Sequence, residues 1–184
     1  MPPTAAMTPT DPRVVGLDLS LTSSGVAHID GTPQCLKVDD LEGMERIGHI
    51  TERIAPAVKA DTELVMVEAP VFVAGHMASA LETAYLNGIV RQYLWHAGVA
   101  YLDVAIGTLK VYATGDGHAK KLDMIRAAEK RLGYEGDSDD EADALWLRAL
   151  GWALLGVPLV ELPKTHTRAL DRLRKARPVL GATR

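Results

Sequence analysis

At 184 residues, with 47% hydrophobic and 24% charged side chains, the chain has the size and balance of one ordinary globular domain. It leaves no length for a second catalytic lobe. The single cysteine, Cys35, excludes an internal disulfide and fits a reducing compartment, and no apolar run approaches the ~18 residues of a membrane span. The formal charge of −4 argues against a uniformly nucleic-acid-binding surface, yet it is unevenly spread. From Lys164 onward seven basic residues face Asp171 alone, so this tail carries +6 and the remainder −10. Such a segment can meet phosphates on an acidic body; a solvated C-terminal helix has the same pattern.

Residues 1–12 contain three consecutive Pro-bearing stretches and no basic segment leading into an apolar core, so they are expected to be a flexible leader and not a secretory signal. Three short strands follow, Arg13 to Leu19, Gly25 to Ile29 and Gln34 to Val38, with the Asp30-Gly31 pair marking a hairpin between the last two. Met44, Ile47, Ile50, Ile54 and Val58 recur at helical spacing and predict an amphipathic helix from Leu41 to Ala60. A continuous apolar strand ends at Glu68, because Pro70 stops the ladder. Beyond a loop at 70–77, a long helix from Ala78 to Ala97 leads to a fifth strand, Val99 to Val104. The rest is helical in pattern: Gly107 to Ala113, Lys120 to Leu132, Asp140 to Leu155, and a basic helix from Thr165 to Ala176. A meander followed by alternating strands and helices predicts an α/β fold with a mixed five-stranded sheet covered on both faces.

The chemistry concentrates in four carboxylates. Asp18 stands near the end of the apolar strand Val14-Val15-Gly16-Leu17-Asp18, where an unaccompanied charge is costly and a cation is the usual remedy. Glu68 ends a second apolar strand in the same way, so the two can lie side by side. Asp140 and Asp143 share one face of a first helical turn. Oxygen ligands without a Cys/His cluster suit Mg²⁺, or Mn²⁺ as a substitute, and two such ions about 4 Å apart support phosphodiester hydrolysis. Each acid also has a plainer explanation. First-turn aspartates favour the helix dipole, Glu68 can be a solvated strand end, and Asp18 can belong to a phosphate-binding turn.

In order and spacing these motifs resemble the RuvC family of Holliday-junction resolvases, within the ribonuclease H-like superfamily. Asp18 in Gly16-Leu17-Asp18-Leu19-Ser20 matches the first-strand aspartate, Glu68 in Val67-Glu68-Ala69-Pro70 the second acid, and Asp140-Glu141-Ala142-Asp143-Ala144-Leu145 the closing pair. The block from Lys110 through Gly115-Asp116-Gly117 to Lys120-Lys121 resembles the family's lysine, Gly-x-Gly and second-lysine segment. The resemblance covers 13–155. It implies a ribonuclease H-like three-layer fold, with 13–160 as the nuclease domain and 161–184 as a basic, helical C-terminal extension. It also implies a divalent-metal-dependent endonuclease that resolves four-way or related branched DNA and leaves 5′-phosphate and 3′-hydroxyl ends. Asp18, Glu68, Asp140 and Asp143 would be its catalytic and metal residues, and Lys110, Lys120, Lys121, Gly115 and Gly117 would contact DNA. The family's aromatic after its second acid is displaced here, since Val71 takes the matched position and Phe72 follows. Phe72 is expected either to stack on DNA or to anchor the next helix.

The two symmetry-related cuts at a junction suit a twofold homodimer. Met77, Leu81, Tyr85, Leu86 and Val90 on the long helix are the expected interface. The expected setting has no membrane and is the cytoplasm, the host's if the chain is of bacteriophage type. Two other readings stay open. Gly16 to Gly25 also resembles the first phosphate-binding turn of actin-like sugar kinases, and the same fold can serve as a junction-binding scaffold without nuclease activity.

Overall fold

The computed structural model describes residues 8–71 and 77–182. Five strands, β1 (Val14–Asp18), β2 (Ser23–Ala27), β3 (Pro33–Lys37), β4 (Leu64–Glu68) and β5 (Ala100–Val104), form one sheet in the order β3-β2-β1-β4-β5. β1, β2 and β3 are antiparallel, while β4 and β5 run parallel to β1. The β2–β3 turn closes as its Asp-Gly pair requires. Gly31 adopts φ +90°, and Asp30 Oδ1 accepts the Thr32 N–H at 2.9 Å.

Six helices complete the described chain: α1 (Gly43–Ile54), α2 (Met77–His96), α3 (Ile106–Thr114), α4 (Lys121–Leu132), α5 (Asp139–Leu154) and α6 (Lys164–Leu173). Strand alternation sorts the core into two layers. Val15, Leu17, Val65 and Val67 face α1 and α2, where Ile47, Ile50, Ile54, Leu86, Val90 and Leu94 are buried. Val14, Leu64, Met66 and Val104 face the opposite layer, built from α3, α4, α5 and α6 around Leu109, Tyr112, Trp146 and Leu150. The expected three-layer α/β sandwich is therefore present.

Some expectations shift. Pro56 cannot donate a backbone hydrogen bond, so α1 stops at Ile54 and a 3-10 turn covers Ala55–Ala57, short of Ala60. Met44, counted in the apolar stripe, lies in the first turn and is 59% exposed. Leu86 and Val90, expected at an interface, are fully buried against the sheet, while Leu81 and Tyr85 are exposed at 51% and 47%. The side chain of Met77 lies outside the described set. No helix among the described residues is long and apolar enough to cross a membrane.

α5 is the helix on which the site depends, and two glycines let it lie directly on the sheet. A Cβ on Gly16 would overlap the Ala144 carbonyl oxygen, and one on Gly25 would overlap the Asp140 carbonyl oxygen. Backbone contact of this kind fixes the first two turns of α5 over the middle of β1 and β2. Further along α5, Arg148 is buried; its guanidinium donates twice to the Ile29 carbonyl, at 2.6 and 3.2 Å, and lies 5.1 Å over the Trp152 ring. The apolar run of this helix thus contains one cation anchored to the β2–β3 connection.

Candidate metal centre

Period-two geometry puts Val14, Gly16 and Asp18 on one face of β1, and Leu64, Met66 and Glu68 on the same face of β4. β1 and β4 are parallel, with Leu17 paired to Val67, so the next residues, Asp18 and Glu68, end neighbouring strands on the α5 side. Asp143, one turn into α5, completes the group. Carboxylate oxygens of Asp18, Glu68 and Asp143 all lie within 4.8 Å of one another.

The remaining acids at the start of α5 are engaged elsewhere. Ser138 caps the helix, its hydroxyl accepting the Glu141 N–H at 3.3 Å. Glu141 accepts the Tyr134 hydroxyl at 2.7 Å and turns away from the centre. Asp139 is ion-paired with Lys121, and Asp140 accepts a short hydrogen bond from the Ser23 hydroxyl on β2. Asp140 is thus held at the margin of the cluster, close enough to raise the pKa of all three central acids.

Electrostatics single out the triad. Burial, followed by the charges of Glu68, Asp143, Asp140 and Asp139, raises Asp18 well above the ordinary aspartate value. Burial and the neighbouring Asp143 push Glu68 up to about 7, with Lys110 pulling the other way. Asp143 also rises to about 7, through burial first and then Asp139, while Lys110 and Lys121 oppose the shift. Among the described residues, Glu68 Oε2 and Asp143 Oδ1 are buried without a hydrogen-bond partner. Two orphaned acceptors beside a third carboxylate, with no thiol or imidazole in the group, fit a hard divalent cation and no softer one.

The basic block surrounds this centre in graded fashion. Lys110, on α3, lies near enough to act on Glu68 and Asp143. Lys121 opens α4 and reaches Asp139, while Lys120 precedes the helix with its N–H held by Asp123 Oδ2 at 2.9 Å. Gly115 ends α3 in the left-handed region at φ +84°, and the turn through Gly117 carries the chain into α4. Phe72 lies outside the described residues. A cleft of about 330 Å³ opens beside the acids, lined by Asp18, Glu68, Leu19, Leu21, Val71 and Thr83 among others.

Two supporting residues escaped the sequence reading. Ser23 orients Asp140 across 117 positions of chain, and the packing of α5 on β2 at Gly25 brings the two together. Arg91 Nη2 donates to the Glu68 carbonyl at 3.3 Å and to Asp103 Oδ1 at 2.6 Å, and Arg91 Nη1 to Asn87 Oδ1 at 2.6 Å, tying the end of β4 to α2 and β5. The Asn87–Arg91 spacing of four on a helix was the one available signal.

A mixed five-stranded sheet between helical layers, with acids at the ends of two adjacent strands and on the helix that crosses them, defines a ribonuclease H-like protein with an acidic centre suited to divalent metal. No protein-family profile matches the chain. Curated relatives named crossover junction endodeoxyribonuclease RuvC do. The one from Anaeromyxobacter sp. (strain K) is 30% identical over 130 residues, covering 71% of this chain and 65% of the relative. The one from Anaeromyxobacter dehalogenans (strain 2CP-C) is 32% identical over 131 residues, with the same coverage. The chain thus spans about two thirds of the length of these relatives, at 65%. Among solved structures, Thermus thermophilus RuvC superposes with a TM-score of 0.61 at 25% identity, over 78% of this chain and 96% of that one. The structure of T. thermophilus RuvC in complex with Holliday junction substrate gives 0.65 at 22% identity, over 90% and 98%. In sequence and in fold the chain is similar to proteins of the RuvC family.

Proposed function

We propose that the chain is a divalent-metal-dependent endonuclease that resolves four-way or related branched DNA by paired phosphodiester hydrolysis. The observation that carries this reading is the convergence of Asp18, Glu68 and Asp143 with two buried, unpartnered oxygens among them. These three residues would hold the metal, Mg²⁺ with Mn²⁺ as a substitute. When bound, such ions would offset the crowded negative charge and act as Lewis acids on the scissile phosphate.

The protein's own groups do the rest. Asp140, fixed by Ser23, either holds a further ligand or orients the attacking water. Water oxygen bonds to phosphorus, the bond to the 3′ oxygen breaks, and the water's proton ends on that oxygen, leaving 5′-phosphate and 3′-hydroxyl termini. Lys110 and Lys121 approach the scissile strand and offset charge that develops on the phosphate. Lys120 and the backbone around Gly115 and Gly117 hold the flanking strand. Phe72 would stack at the junction centre.

Two copies related by a twofold axis would deliver the two cuts, with exposed Leu81 and Tyr85 of α2 at the contact. The cytoplasm is the compartment this reading implies. The test compares a synthetic four-way junction with linear duplex in Mg²⁺, Mn²⁺ and EDTA. Symmetric nicks confined to the branched substrate, lost in EDTA and in Asp18→Asn and Asp143→Asn, are expected. Cleavage that survives EDTA, or equal cutting of duplex, overturns the proposal.

A further inference from the structure

The basic residues of α6 take no part in the mechanism above, and their arrangement is not that of a tail held on by charge. α6 buries His166, Ala169, Leu170 and Leu173, and His166 Nδ1 donates to the Tyr112 carbonyl at 2.9 Å, so apolar packing and this hydrogen bond dock the helix. Lys164, Arg168 and Arg172 recur every fourth residue and fall on the opposite, exposed face, with Lys175 exposed just past the helix end. Among the described residues four ion pairs occur, and the only one that includes a residue of this tail joins Arg174 to Asp171 at 3.6 Å. Lys164, Arg172 and Lys175 have no carboxylate partner there, although the body they ride on carries −10.

The row also connects to the centre. Arg168 Nη2 donates to the Gly115 carbonyl at 3.2 Å, at the start of the turn that leads to Lys120 and Lys121. Lys121 in turn reaches Asp139 beside the acids. From Lys164 to Arg172 the helix rises about 12 Å, the axial length of three to four base-pair steps at about 3.4 Å each.

We infer that the outward face of α6, comprising Lys164, Arg168, Arg172 and Lys175, is a phosphate track that seats a double-stranded DNA arm leading away from the acidic centre. The inference rests on the branched-DNA reading and adds the surface that holds an arm without reading its sequence. Charge complementarity selects this occupant: a row of unpaired cations on an otherwise acidic protein, continuous with the lysines at the candidate site.

The test uses the Asp18→Asn protein, which removes one carboxylate of the cutting site, and follows four-way-junction binding by fluorescence anisotropy over a KCl series. The triple substitution Lys164→Gln/Arg172→Gln/Lys175→Gln spares Arg168, which braces Gly115. It is expected to lower the slope of log K against log[KCl] by about 2–3, at ~0.9 per phosphate contact, and to weaken binding about tenfold or more at low salt. The charge-preserving set Lys164→Arg/Arg172→Lys/Lys175→Arg should keep the slope, and both should keep the parent's melting temperature because the side chains are exposed. An unchanged slope in the Gln variant, with the junction still bound, overturns the phosphate track and leaves the nuclease reading intact. The same holds if the Gln variant loses binding only to phosphatidylserine vesicles. Absence of junction binding by the parent itself overturns both.

Discussion

Removing the cation from the acidic centre should make the protein's stability fall as pH rises, opposite to the usual behaviour of a paired carboxylate. In the folded chain Glu68 moves from 4.5 to about 7 and Asp143 from 3.8 to about 7. Between about pH 4 and 7 the unfolded chain has therefore released protons that the fold retains, so folding stability declines through that window, and Asp18, raised well above its ordinary value, adds to the decline in the same direction. At ~1.4 kcal/mol per pH unit, ionising Asp143 costs the metal-free fold about 4 kcal/mol in full; about 3 kcal/mol of this falls between pH 5 and pH 8. Glu68 is raised in the same direction, by burial first and then by the charge of Asp143, so Asp143 alone sets the least magnitude to test.

For a chain of this length about 3 kcal/mol corresponds to roughly 6–12 °C in melting temperature. Differential scanning fluorimetry in EDTA at pH 5 and pH 8 measures it, with Asp143→Asn as the comparison. The variant carries no charge at that position and should show a flatter profile and a higher melting point at pH 8. Mg²⁺ should raise the melting point of the wild type at pH 8 and do so less in the variant; at a hundredfold excess over Kd the gain is about 2.7 kcal/mol. A metal-free wild type whose melting point is equal or higher at pH 8, with a profile parallel to that of Asp143→Asn, would refute the crowded-acid reasoning.

Two further outcomes test the scaffold beneath the site. Gly16→Ala and Gly25→Ala each drive a methyl into backbone carbonyls of α5, so each should cost at least the ~1–3 kcal/mol of ordinary overpacking; a melting temperature within about 2 °C of wild type would contradict the close helix–sheet approach. Arg148→Ala strips two hydrogen bonds from the buried Ile29 carbonyl and one ring contact from Trp152, which should cost about 2–4 kcal/mol in chemical denaturation. Arg148→Lys should recover only part of that, because an ammonium lacks the fork that reaches one carbonyl twice.

β1 and β4 were legible because each is a short apolar run closed by a turn signal, whereas β2, expected at Gly25 to Ile29, spans Ser23–Ala27 because its first residues are polar. Asp30-Gly31 gave the hairpin and Pro70 the end of β4. Because the apolar runs of β1 and β4 each close on a carboxylate, Asp18 and Glu68 were expected at strand ends that can lie side by side, before any knowledge of which strands were neighbours. The helical stripe of α1 misplaced Met44 and overran Pro56, since spacing says which residues align but not where the first turn meets the core. The face of α2 was harder still. Its apolar residues surround the helix, so Leu86 and Val90 could not be separated from Leu81 and Tyr85 until the sheet chose a side.

The fates of the acids at the start of α5 mark the boundary between the two kinds of knowledge. Residue type and spacing alone supplied four carboxylates, a basic block and a resemblance to the RuvC family that left an actin-like kinase turn open, because burying charge constrains local sequence strongly. That Asp143 joins Asp18 and Glu68, while Asp139 goes to Lys121, Asp140 to Ser23 and Glu141 to Tyr134, was decided only by tertiary structure. These four acids lie within one and a half turns of helix, and which way each points depends on partners more than a hundred residues away, Ser23 for Asp140 and Asp18 for Asp143. The approach of α5 over Gly16 and Gly25 sets those distances, and a backbone contact of that kind leaves no mark in the sequence except two glycines.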